Sequence, residues 1–218
     1  NRFMHPELEV HTDVLVLGSG AGGLSAAVTA AHLGLSVIVA EKAARLGGTT
    51  AWSGGWMWIP RNPLAREAGI HEDPEAARQY LQHELGERFD PKRTQAYLDH
   101  GPSMVDFFRR HTALQFIDGN AIPDFHGHVP HAGLGGRSVC AAPFDGRSLG
   151  KASARIEAPL PPNTVWGMGI ASGADLKHFI HALSSPTSFW HVCRRLGRHA
   201  MDLLIHGHST QFVNGQAL

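Results

Sequence analysis

Val14, Leu15, Val16 and Leu17 form an unbroken apolar run that stops at Gly18-Ser19-Gly20-Ala21-Gly22-Gly23. Such a run predicts a short strand covered on both faces. Leu24 to Leu33 is alanine-rich and helical in character, and Gly34 stands where a left-handed residue ends a helix. Val37, Ile38 and Val39 supply a second strand, closed by Glu41. Strand, glycine-rich turn, helix and strand in this order predict a parallel βαβ unit, and Asp13 to Pro60 reads as a dinucleotide cradle.

Beyond Asn62 the pattern becomes helical and polar. Asp73-Pro74 and Asp90-Pro91 each set a capping carboxylate before a proline of the first turn, and Ala77, Tyr80, Leu81 and Leu85 make the buried stripe of the first of these helices. Gly101-Pro102 predicts a break, followed by a helix from Met104 to His111 carrying Val105, Phe107 and Phe108. Tyr80 and Tyr97 fall within amphipathic stripes and read as packing residues. Leu114 to Ile117 predicts a short strand, and 118–151, rich in Gly, His and Pro, a long loop. Leu176, Phe179, Ile180 and Leu183 recur at helical spacing. Ser185-Pro186 then opens a helix whose predicted buried side is Val192, Leu196, Ala200, Leu203 and Leu204, with Arg194, Arg195 and Arg198 on a solvated face. Without a repeat or linker, the chain reads as one domain, with the cradle at 13–60 and a mainly helical extension at 61–218.

The glycines have distinct tasks. Gly18 permits the tight turn, Gly20 lets the backbone approach a pyrophosphate, and Gly23 lets the helix pack close to the strand. The helix N-terminus offers free N–H groups and a positive dipole end to the phosphates. Glu41 stands where a carboxylate accepts hydrogen bonds from the hydroxyls of an adenosine ribose. A second glycine-rich stretch, Gly47 to Gly55, adds the hydroxyls of Thr49, Thr50 and Ser53 and leads into an apolar wall of Trp52, Trp56, Met57, Trp58 and Ile59.

Composition removes several classes of function. Lys plus Arg equals Asp plus Glu at 19 each, so no overall field recommends nucleic acid or an anionic membrane. No apolar run approaches the roughly twenty residues that span a bilayer, and Asn1 to His11 lacks the apolar core of a secretory signal. Cys140 and Cys193 belong to no CxxC and suit two reduced thiols in a cytoplasmic protein, with a single disulfide as the open alternative. The 16 histidines include HGHVPH (His126, His128, His131) and HGH (His206, His208), whose spacings match no structural zinc pattern. They read as solvated loop residues, and no metal site is expected.

Taken together, GSGAGG, Glu41-Lys42 and GGTTAWSGG running into Trp58-Ile59-Pro60 and Asn62 resemble the fumarate reductase and succinate dehydrogenase flavoprotein superfamily. Within it the likeness is greatest to the 3-ketosteroid dehydrogenase-like enzymes, supported by Gly136-Arg137-Ser138-Val139 and Pro143-Phe144. The resemblance implies an α/β, Rossmann-like FAD-binding domain with a parallel sheet and helical insertions, incomplete at its C-terminal end. It implies noncovalent FAD on Gly18, Gly20, Ala21, Gly22, Glu41, Lys42, Gly48, Thr49, Thr50, Ser53, Gly54 and Gly55. The succinate dehydrogenase branch attaches its flavin through a histidine near the second glycine stretch, and this chain has none between His32 and His71.

The implied activity is that of an FAD-dependent oxidoreductase acting on CH–CH bonds, with hydride passing between a substrate carbon and flavin N5. The implied substrate is small, apolar and steroid-like. Where the ketosteroid enzymes carry a tyrosine shortly after an aspartate, this chain reads Pro123-Asp124-Phe125-His126, which makes His126 the candidate catalytic group. Family members are more than twice as long, so the chain is expected to be an N-terminal portion, a truncated product or one part of an enzyme completed by a second polypeptide. The alternatives are a fumarate-reductase-like double-bond reductase and a noncatalytic nucleotide-binding subunit that contributes an FAD half-site.

Overall fold

The computed structural model describes residues 9–218, so most of the Asn1–His11 segment lies outside the described residues. The chain opens with β1 (Val14–Leu17), α1 (Ala21–His32) and β2 (Val37–Ala40). β1 and β2 pair in parallel, Val14 opposite Val37 and Leu17 opposite Ala40. Gly34 follows α1 with φ +85°, as its place in the sequence predicts. The expectation of a strand buried on both faces is corrected here. Val16 is buried, but Leu15 is 58% and Leu17 78% exposed, because among the described residues β1 has β2 as its only partner and α1 covers one face.

β3 (Trp56–Trp58) leads into α2 (Pro63–Glu67), α3 (Pro74–Leu85) and α4 (Pro91–His111), followed by β4 (Phe116–Asp118), β5 (Ser138–Ala141) and β6 (Phe144–Asp145). Asp73 and Asp90 cap α3 and α4 by accepting backbone N–H groups, as their Asp-Pro pairs predict. The expected break at Gly101-Pro102 does not occur, and α4 runs through it. A proline there leaves the carbonyl of Leu98 without its helical donor. Arg61 replaces that donor, its Nη2 lying 3.1 Å from the Leu98 oxygen. Gly101, having no side chain, lets α4 approach Ile59 closely.

β5 lies inside the stretch read as loop and is the central strand of an antiparallel sheet ordered β3-β5-β4. Val139, Cys140 and Ala141 are buried, and Val139 joins Ile59, Val105, Phe108 and Phe116 in the core between this sheet and α4. The chain continues through β7 (Thr164–Val165), β8 (Met168–Gly169), α5 (Ala174–Ile180) and α6 (Pro186–His206) to β9 (Gln211–Phe212), which pairs with β6.

α6 keeps only part of its expected buried side: Val192 and Leu196 are half-buried, but Ala200, Leu203 and Leu204 are exposed. Ser188, His199 and Asp202 face inward, whereas Leu204 is 82% exposed and Trp190 and Ile205 are also exposed. The surface it meets carries carboxylates, a carbonyl and the donors of Thr210. Arg195 reaches Asp175 and the Gly169 carbonyl, Arg198 pairs with Asp145, and Asp202 accepts from both the N–H and the hydroxyl of Thr210. Arg195 and Arg198 are therefore docking residues, and only Arg194 of the three is exposed. No helix among the described residues is long and apolar enough to cross a membrane.

Arg137 pins the loop before β5. Its side chain is only 4% exposed, and the guanidinium pairs with Asp124 and Glu72 beside the neighbouring rings of Trp58 and Tyr80. Removing one member of such a buried group leaves uncompensated charge, at a cost of about 3–5 kcal/mol. Arg137→Met is accordingly expected to lower unfolding stability by about 3 kcal/mol or more, checked by urea denaturation against the parent.

Candidate dinucleotide site

The first glycine-rich turn has the form its sequence demands. Gly18 adopts φ +95°, which a residue with a side chain rarely does, and a Cβ on Gly23 would fall 2.0 Å from the Gly18 carbonyl oxygen. These positions bring the N-terminus of α1 against the end of β1. Gly20 caps the helix without a side chain, and a Cβ on Gly22 would meet nothing within 4 Å, so the helix end is open to an approaching anion.

Ser19 is fully buried and joins three segments. Its hydroxyl donates to Glu41 Oε2 at 2.6 Å and accepts the Gly47 N–H at 3.0 Å, while its own N–H donates to the same carboxylate oxygen at 2.8 Å. The other oxygen of Glu41 accepts the Ala43 N–H at 2.8 Å. A carboxylate has about four acceptor positions. These contacts use three, leaving room for a ribose hydroxyl. The second turn is tied to the helix as well, because Thr50 Oγ1 accepts the Ala21 N–H at 3.0 Å.

Of the residues expected at the cofactor, Gly18, Gly20, Ala21, Gly22, Glu41, Thr49 and Thr50 thus converge on one edge, and Gly48 to Thr50 form a short 3-10 turn. Ser53, Gly54 and Gly55 continue from it, with the Gly55 carbonyl held by the Ala141 N–H of β5 and the Gly54 carbonyl facing the Cys140 thiol. Burial pushes the Cys140 thiol up to about 11. Lys42 is exposed beside Glu41. A cavity of about 600 Å³ opens beside the two turns, reached by Ser19, Thr50 and Gly215 and walled by Leu24, Met104 and Phe108.

His126 stands elsewhere. Its Nδ1 lies 2.5 Å from Glu84 of α3, Phe125 is 99% exposed, and none of the hydrogen bonds made by either residue reaches the two turns. Asp124 turns inward, accepting from Trp58 Nε1 at 2.6 Å, the Gly133 N–H and Arg137. One contributor escapes a reading of motifs alone, since Ser19 occupies a variable position of GxGxxG. Asn214-Gly215, which the family resemblance sets against the cofactor domain, is separated by a long interval from the glycines it touches. The Asn-Gly pair is the available signal, since it favours positive φ.

The family model described as an FAD binding domain matches residues 13–218, and the chain belongs to that family. Its cofactor is FAD. Among characterised relatives, the chain is 37% identical over 206 residues to the 4-oxocyclohex-2-ene-1-carboxylate 5-dehydrogenase of Sinomonas cyclohexanicum, covering 94% of this chain and 35% of that protein. It is 46% identical over 145 residues to the 3-oxosteroid 1-dehydrogenase of Mycobacterium tuberculosis, covering 66% and 26%. The solved 3-ketosteroid delta1-dehydrogenase from Sterolibacterium denitrificans, in complex with 1,4-androstadiene-3,17-dione, superimposes with a TM-score of 0.80 at 34% identity, covering 94% of this chain and 37% of that one. The chain thus spans about a third of the length of these relatives or less.

The N–H groups of Ser19 and Ala43 and the Ser19 hydroxyl hold the Glu41 carboxyl down at about 2, with the Ala43 N–H contributing most. A group depressed in the folded state contributes stability above its unfolded value, here the ordinary 4.5, and loses that contribution as pH falls toward the folded value. Parent protein is therefore expected to lose stability between about pH 4.5 and 2 through this group. In Glu41→Gln that component is absent, a difference read by comparing denaturation midpoints across this window.

Proposed function

We propose that this chain is the cofactor-binding portion of an FAD-dependent oxidoreductase that dehydrogenates a CH–CH bond in a cyclic ketone of steroid-like apolarity. The observation that carries the reading is the union of the two glycine-rich turns, made by Gly47 N–H to Ser19 and by Ala21 N–H to Thr50, beside a carboxylate at the end of β2. The names of the relatives support the cyclic-ketone part of this reading, since each describes dehydrogenation of a ring compound carrying an oxo group, and the 3-oxosteroid 1-dehydrogenase supports the steroid-like part.

Bound FAD supplies the hydride acceptor for such a reaction. The chain's residues supply placement. The backbone at Gly20 and Gly22 receives the pyrophosphate at the N-terminus of α1, where the dipole and their N–H groups favour negative charge, while Ala21 between them is held by Thr50. Glu41 accepts from the ribose, with Lys42 beside it. Gly48, Thr49, Thr50 and Gly54 offer N–H groups and Thr49 and Ser53 hydroxyls to the flavin end, while the N–H groups of Ser53 and Gly55 are bonded within the turn, and the small residues, Gly55 included, permit close approach. Holding the cofactor in one orientation is the catalytic contribution of this portion. The free thiols of Cys140 and Cys193 support a reducing compartment, and the cytoplasm is the one proposed.

Protein reconstituted with FAD and freed of excess ligand is expected to release one flavin per chain on denaturation, read by absorbance. Failure to retain flavin would contradict the proposal. Glu41→Ala removes a charged acceptor, an interaction of about 1.5–3 kcal/mol, and is expected to weaken FAD binding by roughly tenfold or more. Fluorescence titration of the apoprotein measures that change, and unaltered affinity would remove Glu41 from the site.

A further inference from the structure

Asn214 and Gly215 lie about 160 residues beyond the second glycine-rich turn and are nevertheless built into it. The Gly215 N–H donates to the Ser53 carbonyl at 3.0 Å. A Cβ on Gly215 would stand 1.7 Å from the Thr50 carbonyl oxygen and 2.5 Å from Ser53 Oγ, so any side chain there displaces the turn. The fit is reciprocal. Gly55 has φ +72°, and a Cβ on it would come within 2.5 Å of the Asn214 carbonyl carbon.

Asn214 holds this arrangement from the other side. Its backbone takes φ +55°, a region that asparagine enters more readily than most residues. Its Oδ1 accepts the Ser172 N–H at 2.9 Å and its Nδ2 donates to the Ile170 carbonyl at 2.8 Å. Gln216 extends the clasp by donating to the Glu157 carbonyl at 2.7 Å. Val213, immediately before, is buried and lies close to Gly169. The turn from Thr50 to Gly55 is thus gripped between β5 on one side and the segment 213–216 on the other. Its partners include the backbone or hydroxyl of Thr50, Ser53 and Gly55, three of the positions assigned to the flavin end.

We propose that Asn214 and Gly215 are positioning residues for the cofactor, fixing Thr50 to Gly55 in the shape that receives the flavin end of FAD while leaving the adenosine end untouched. The inference rests on the FAD reading above. It distinguishes the two ends of the ligand, because the adenosine end depends on Ser19, Glu41 and the N-terminus of α1, none of which is bonded directly to 213–216; the link between them is the Thr50 hydroxyl, which accepts the Ala21 N–H.

The test compares FAD and ADP affinities of parent, Gly215→Ala and Asn214→Gly by calorimetric titration, with ligand-free thermal midpoints measured alongside. Gly215→Ala is expected to bind FAD at least tenfold more weakly and ADP within twofold of parent. Asn214→Gly keeps the positive φ accessible and removes only the side-chain clasp. It is expected to weaken FAD several-fold with ADP again unchanged, and it decides the matter if Gly215→Ala fails to fold. Equal FAD affinity in a folded variant would overturn the inference. A parallel fall in FAD and ADP affinity would also overturn it, since that marks a general structural role. A parent that binds ADP but gains nothing from the flavin end would overturn the FAD reading itself and the inference with it.

Discussion

The structure turns on one buried hydroxyl. Ser19 leaves β1 at the start of the glycine-rich turn and pairs its hydroxyl in-chain in both directions, giving its proton to Glu41 and accepting from Gly47. A buried polar group of this kind is costly unless paired, so the three segments must meet in this geometry for the pairing to exist. The end of β2, the entry to the second glycine-rich turn and the N-terminus of α1 are thereby placed together by one side chain. The cradle is a product of that constraint as much as of its glycines.

A similar economy governs the remainder of the chain. Arg137 is surrounded by two carboxylates and two aromatic rings, and it fixes the loop carrying Asp124 to the wall that contains Trp58. Arg61 restores the bond that Pro102 removes from α4, and that helix in turn forms one side of the principal core. Asp175, Asp145 and the donors of Thr210, which Asp202 accepts, draw the polar side of α6 inward. In each case a charged or polar group, not an apolar face, decides how the elements meet.

That division explains what was legible in advance. The βαβ unit, the caps at Asp73 and Asp90 and the stop at Gly34 are local, since each depends on residues a few positions apart, and periodicity reveals them. Gly18, Gly20, Glu41 and Thr50 could be singled out because phosphate and ribose chemistry calls for such residue types, and the structure brings them to one edge. Continuity through Pro102 was not legible, because the compensating Arg61 is remote in sequence. Nor was the orientation of α6, since its apolar stripe gave a valid helical period while the surface that would select a face lay in three other segments. The strand at Ser138 was hidden by its surroundings of Gly, His and Pro. Exposure of Leu15 and Leu17 follows from the pairing of β1 with a single strand among the described residues, which no pattern within β1 could announce.

The central claim is that the two glycine-rich turns act as one FAD cradle because Ser19 ties them together. Titration of FAD into apoprotein, followed by flavin fluorescence, tests it most directly when parent and Ser19→Ala are compared. Loss of the buried hydroxyl leaves the Gly47 N–H and one acceptor position of Glu41 unpaired, and affinity is predicted to fall by about tenfold or more. Equal affinity in a folded Ser19→Ala protein would contradict the account.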